Sequence, residues 1–445
     1  MIKKIVILLF LVGFSMNAQD TIRVKLDPDN GYKRLMMYKI IGAKQRYISF
    51  AEMDEGKFNL IVPKDSGKGI YRLFFDVNNN GYFDFIYNNE PVSMSFNPSS
   101  PEYSAQFEES DENKIYQSYL NSSELLQAKI DSVQIAYFTS KEKETLEKKY
   151  KERVQNLSDL QSYFEKESEG KMANSFVKAN KKYNNLDLFA TPQEYLEVLD
   201  SHFFDYVDFE NKDLMNSSLL VDKVMEYVFY LNDSDDPDLH LKLRQESVNN
   251  AMAKIGGNNY IKSEILSSLL YAFAGQEELK MVNYIKEGYY NQLPDEFKDA
   301  KFISTINGMM KTATGNNAPE ITWKDGNKTM KLSELDSANQ YLITFWSTTC
   351  SHCLNDIPKL YEFTKDLEGV KVIAIALEED KFGFEYHTQD LPNWINVLAM
   401  NKWENEIAQS YDIHATPSYF ILDKDKVIIA KPEDLEDVEA YFTIE

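Results

Sequence analysis

The chain has 445 residues, too many for one ordinary hydrophobic core, so two or three domains are expected. Hydrophobic residues at 43 % and aromatics at 13 % exclude a disordered chain. The formal net charge of -23 argues against a nucleic-acid partner, because phosphate binding needs a cationic face.

Residues 1–18 read as a secretory signal peptide. Lys3 and Lys4 form a basic start, Ile5 to Phe14 an apolar run too short to span a bilayer comfortably, and Ala18 a small residue for cleavage. Met16 is less typical than Ala three residues before the cut, which leaves an uncleaved anchor as the second reading. No cysteine follows the run, so the lipoprotein route is closed, and membrane anchoring is not favoured. The expected location of the mature chain is the periplasm.

From residue 19 to about 110 the pattern is short alternating runs (TIRVKL, KFNLIV, IYRLFFDV, YFDFIYN, VSMSF), which predicts a mainly β N-terminal domain. Within it, Asp76, Asn78, Asn80, Gly81 and Asp84 fall at calcium-loop offsets. Tyr87 stands where the bidentate glutamate belongs, however, and strands flank the stretch, so a hairpin turn is the better reading. Residues 111–312 change period: Leu146, Tyr150, Val154, Leu157, Leu160 and Phe164 recur at steps of three and four, lining one face of a long helix. Similar patterns follow, and the region is expected to be all-α. His202 and His240 lie in these patterns as packing or surface residues.

Residues 313–445 alternate strand and helix signals. ITWKDGNKTMKL reads as a hairpin around Asp325-Gly326, and QYLITFW, VKVIAIAL, SYFILD and KVIIAK as strands of a mixed α/β sheet. Between the first two buried strands lies FWSTTCSHCLNDIPKL, with Cys350 and Cys353, the chain's only cysteines. A CxxC pair opening a helix places the first sulfur beside unpaired N–H groups and the positive dipole end, which favours the thiolate. Cys350 is then the attacking nucleophile, and Cys353, one turn further in, resolves the mixed disulfide. Three plainer readings stand beside this one. A structural disulfide closing so small a ring would stabilise the fold by only about 2 kcal/mol. A zinc site needs two more ligands, and His387 and His414 are isolated in sequence. Inert buried cysteines leave the preceding Phe345-Trp346 and the following Pro358 unexplained.

The region from Ala318 onward resembles the thioredoxin fold and, within it, the exported TlpA/ResA-like thiol-disulfide oxidoreductases. The resemblance rests on APEITWKDG with LSEL, LITFWSTTCSHCLNDIPKL, VIAIAL and HATPSYFILD. It implies that Pro417 forms a cis-proline loop facing the disulfide, with the Thr416 backbone pairing an extended substrate segment and Trp346 on the substrate-binding side. Asp356 falls where ResA-like proteins carry a glutamate, and Thr344 where thioredoxin has a buried aspartate. Asp356 is therefore the candidate for moving the proton of Cys353, with one methylene less reach. Thr349 replaces a common tryptophan, and His352 precedes the second cysteine as in the oxidase DsbA, where a cation stabilises the thiolate. The expectation is reduction of disulfides in envelope proteins, recharged by a membrane thiol donor, with neither cofactor nor metal. A DsbA-like oxidase or isomerase is the first alternative, and a binding or scaffold protein with a residual redox site the second.

Overall fold

A computed structural model describes residues 20–28, 31–76, 81–231 and 233–444. The signal reading of residues 1–18 falls outside them. Contacts divide the chain into two compact units, Met1–Ile265 and Leu266–Glu445.

The first unit opens with β1 (Asp20–Leu26), β2 (Arg34–Ile41), β3 (Lys44–Glu52), β4 (Phe58–Val62), β5 (Gly69–Asp76), β6 (Gly81–Tyr87), β7 (Val92–Phe96) and β8 (Gln106–Glu109). Alternation does the sorting. In β1, Ile22, Val24 and Leu26 are buried while Arg23 and Lys25 between them are exposed, and in β4 Phe58, Leu60 and Val62 repeat the pattern. The strands form two four-stranded sheets, β4-β1-β7-β8 and β3-β2-β5-β6, whose inward rows meet in one apolar cluster. β2 and β3, not separately legible from the sequence pattern, pair antiparallel with each other. Their alternation is blurred. Lys39 is buried in β2, where its ammonium donates to the Ser66 carbonyl at 2.8 Å, and most of β3 is exposed or half-buried.

The calcium-like stretch joins β5 and β6, which pair antiparallel, and its residues 77–80 fall outside the described ones. Asp84 is already occupied. Its two carboxylate oxygens accept from Nε and Nη2 of its cross-strand partner Arg72, each at 2.7 Å.

Helices follow. Asp111–Thr139 and Lys143–Glu167 pack along the stripe read from the sequence, with Tyr150, Val154 and Leu157 against Ile130 and Val133. The first is tied to the strands at its start: Asn113 accepts from the Ile86 N–H at 2.8 Å and donates to the Ile86 carbonyl at 2.7 Å. Among the described residues no helix is long and apolar enough to cross a membrane.

In the second unit, helices Leu279–Gly288 and Ala300–Met309 precede the predicted hairpin, β9 (Thr322–Asp325) and β10 (Lys328–Lys331), with Gly326 at φ +58 in its turn. The main sheet contains β11 (Gln340–Trp346), β12 (Val370–Glu378), β13 (Ile395–Met400), β14 (Ser418–Asp423) and β15 (Ile428–Ala430). Its order is β13-β12-β11-β14-β15. β11 runs parallel to β12 and antiparallel to β14, so it is the central strand. Both faces are covered. Tyr341, Ile343 and Phe345 enter one core cluster, Leu342 and Trp346 the other, which is why QYLITFW is a continuous apolar run.

Candidate active site

β11 ends at Trp346, and four residues later Cys350 caps the helix Ser351–Thr364. The cap is the sulfur itself: Cys350 Sγ accepts from the Cys353 backbone N–H at 3.2 Å. A helix of this length leaves its first N–H groups and positive dipole end at that sulfur, so negative charge on Cys350 is stabilised. The helix continues through Pro358. Cys350 and Cys353 are joined as a disulfide, with Cα atoms 5.3 Å apart. The two sulfurs are not equivalent. Cys353 is 0 % exposed within the core, whereas Cys350 is half-buried at the surface.

The Thr416-Pro417 peptide is cis, and the Thr416 carbonyl oxygen lies 3.3 Å from Cys350 Sγ. The structure thus brings together Cys350, Cys353, Thr416 and Pro417. His352 is exposed on the first turn of the helix. Asp356 lies one turn beyond Cys353 with its side chain 25 % exposed, accepting from Asn355 Nδ2 at 2.8 Å and facing Lys359 at 3.8 Å. Trp346 is placed differently from its expected substrate-facing position. It is 1 % exposed, because alternation along β11 sends its indole into the core cluster that contains Cys353, where it lines the inner wall of a cavity of about 210 Å³ beside the helix. Among the described residues no group of three or more His, Cys, Asp and Glu is placed to hold a metal, and His414 pairs instead with Asp412 at 2.9 Å.

Three further residues shape the site. Glu378, at the end of β12 and 3 % exposed, accepts from the Thr348 N–H at 2.5 Å and the Thr348 hydroxyl at 3.0 Å, fixing the loop that delivers Cys350. Gly383 lets its own segment approach that loop. A Cβ there would collide with the Thr348 hydroxyl and stand 2.9 Å from its Cβ. Lys402 reaches the Thr349 hydroxyl at 3.4 Å, bringing a cation to the residue next to Cys350. The only sequence signal for any of them is that Glu378 ends an apolar strand on a charge.

Residues 339–428 match the sequence profile of a family described as thioredoxin-like. No curated protein matches the chain. Solved structures that it resembles include the thioredoxin domain of a thiol-disulfide oxidoreductase from Bacteroides vulgatus (23 % identity, 30 % of this chain and 96 % of that one, TM-score 0.27). A domain of a possible thiol-disulfide isomerase from Cytophaga hutchinsonii is 28 % identical over 29 % of this chain and 91 % of its own, with TM-score 0.26. A thioredoxin-like protein from Bacteroides caccae covers 57 % of this chain and 94 % of its own at 20 % identity, with TM-score 0.38. The matched residues 339–428 span the central strand, the helix that follows it and the cis-proline loop, so the C-terminal part of this chain carries a thioredoxin-like sequence profile.

Proposed function

We propose that the protein is an exported thiol-disulfide oxidoreductase that reduces disulfides of envelope proteins, with residues 19–110 and 111–312 as domains ahead of the redox domain 313–445. The observation that carries the chemistry is the capping geometry at Cys350, where one half-buried sulfur accepts a helix N–H while its partner is enclosed. In the dithiol form, the Cys350 thiolate attacks a substrate disulfide and forms a mixed disulfide, expelling one substrate thiolate. Cys353, after losing its proton, attacks Cys350 Sγ, which releases the second substrate thiolate and restores the disulfide. Asp356, one turn from Cys353, is the proposed acceptor of that proton. Thr416 supplies the carbonyl beside the reacting sulfur, where an extended substrate strand would pair. The reduced state is regenerated by a membrane thiol donor in the periplasm.

The second reading is a DsbA-like oxidase or isomerase. His352 on the first turn and Lys402 beside Thr349 favour it, since cations near Cys350 stabilise its thiolate and raise the oxidising power of the pair. The test is reduction of insulin by the full chain supplied with dithiothreitol. Cys350→Ser is expected to abolish it, and equal activity in the variant and the parent removes the assignment. The measured reduction potential then separates reductase from oxidase.

A further inference from the structure

Beneath the redox helix the sheet buries polar groups that the exchange chemistry above does not use. Thr344 of β11 and Tyr419 of β14 are direct antiparallel partners. Side chains so opposed rise from Cβ atoms about 4.5–5.5 Å apart on one face. That face is the one toward Cys353, because Thr344 stands two residues from both Leu342 and Trp346 and so shares their face of the strand, and those two belong to the Cys353 cluster with Tyr419. Thr344 is 0 % exposed and Tyr419 is 2 %. The Thr344 hydroxyl, the Tyr419 hydroxyl and the Trp346 indole N–H all lack a hydrogen-bond partner among the described residues. Each such buried group destabilises the fold when left unpaired. Packing alone does not require a hydroxyl at such positions, since Phe345 and Phe420 fill the opposite face of the same strands beside Tyr341, whose hydroxyl also lacks a partner among the described residues.

Two charged groups bear on the Tyr419 hydroxyl: Asp356 from the redox helix, itself facing Lys359, and Asp434 just ahead of the helix Leu435–Ile444. Burial first, and then these two carboxylates, push the phenol well above its ordinary range, so it remains a hydrogen-bond donor.

We propose that Tyr419 is a positioning residue for the buried sulfur, donating a hydrogen bond to the Cys353 thiolate when the disulfide opens. The inference rests on the exchange reading of Cys350 and Cys353. An incoming thiolate attacks Cys350 Sγ, the bond to Cys353 breaks, and its electron pair leaves on Cys353 Sγ. The new bond joins Cys350 to the attacking sulfur, while the phenol keeps its proton and only its hydrogen bond is new. In the disulfide form the same hydroxyl has no partner. A bond available only to the reduced state stabilises the dithiol, and therefore raises the reduction potential.

The experiment is Tyr419→Phe in the full chain, equilibrated in glutathione buffers. The equilibrium is expected to move about tenfold toward the disulfide, equivalent to about 30 mV more negative. Unfolding of each redox form supplies the second readout: the variant's oxidised form should be no less stable than the parent's, and its reduced form less stable. An unchanged potential, a shift toward the dithiol, or equal destabilisation of both forms overturns the proposal. Failure of the exchange reading shows separately, as insulin reduction by the parent that does not depend on Cys350.

Discussion

Removing the carboxylate of Glu378 tests whether the loop before Cys350 is held from the neighbouring strand. In Glu378→Ala, Thr348 loses the acceptor for its N–H at 2.5 Å and for its hydroxyl at 3.0 Å. Hydrogen bonds to charged groups contribute about 1.5–3 kcal/mol each, but the Thr348 hydroxyl is half-buried and recovers part of its loss from water, so a net cost of about 3 kcal/mol is expected. Glu378→Gln keeps an acceptor for the N–H and a polar partner for the hydroxyl, so its cost should stay under about 1 kcal/mol. The readout is selective because all four tryptophans, Trp323, Trp346, Trp394 and Trp403, lie in the C-terminal domain. Tryptophan fluorescence in urea therefore follows that domain alone. With a slope of about 2 kcal/mol per M, the alanine variant's midpoint should fall by about 1.5 M and the glutamine variant's by under about 0.5 M. Alkylation of reduced Cys350 should slow in the alanine variant as its cap geometry loosens. Coincident midpoints for the two variants, with unchanged alkylation, would refute the argument.

Three other outcomes follow from the site. Iodoacetamide on the briefly reduced native protein should label Cys350 first and leave Cys353 unmodified, as read by peptide mass, because Cys353 is 0 % exposed; equal labelling contradicts the burial. Replacing His352 with alanine, or Lys402 with glutamine, should lower the reduction potential, a shift of less than about fivefold in the glutathione equilibrium, since His352 is exposed and the half-buried Lys402 already lies 3.8 Å from Glu379; a rise would contradict thiolate stabilisation. Asp356→Asn should slow release of the mixed disulfide and shift the pH profile of insulin reduction with the fold unchanged, whereas an unaltered profile leaves Asp356 as a helix residue paired with Lys359.

The thioredoxin-like domain was legible because its signals are local. Cys350, Cys353 and the helix they open lie within one stretch, and β11 and β12 are apolar throughout because both faces are covered. The N-terminal strands were legible where the alternation was clean, as in β1 and β4. They were not where a buried lysine or an exposed face broke it, as in β2 and β3. Trp346 shows the limit of carrying a position over by resemblance. The family pattern implied the substrate side, but strand parity with Leu342 decides its direction. Glu378 and Lys402 act on Thr348 and Thr349 from 30 and 53 residues away. No spacing rule connects them, because only the folded sheet makes them neighbours.

The closure of both cysteines within a single helical turn also bears on how the chain matures. With two cysteines there is one possible internal pairing, so an oxidising compartment cannot scramble this chain into mismatched bridges. The one wrong product left is a covalent link to another molecule, and the enclosed Cys353 shields half of the pair from it. The domain therefore acquires its cross-link without the proofreading that multi-cysteine proteins require. Its assembly also depends little on when that link forms, because so short a ring removes little freedom from the unfolded chain.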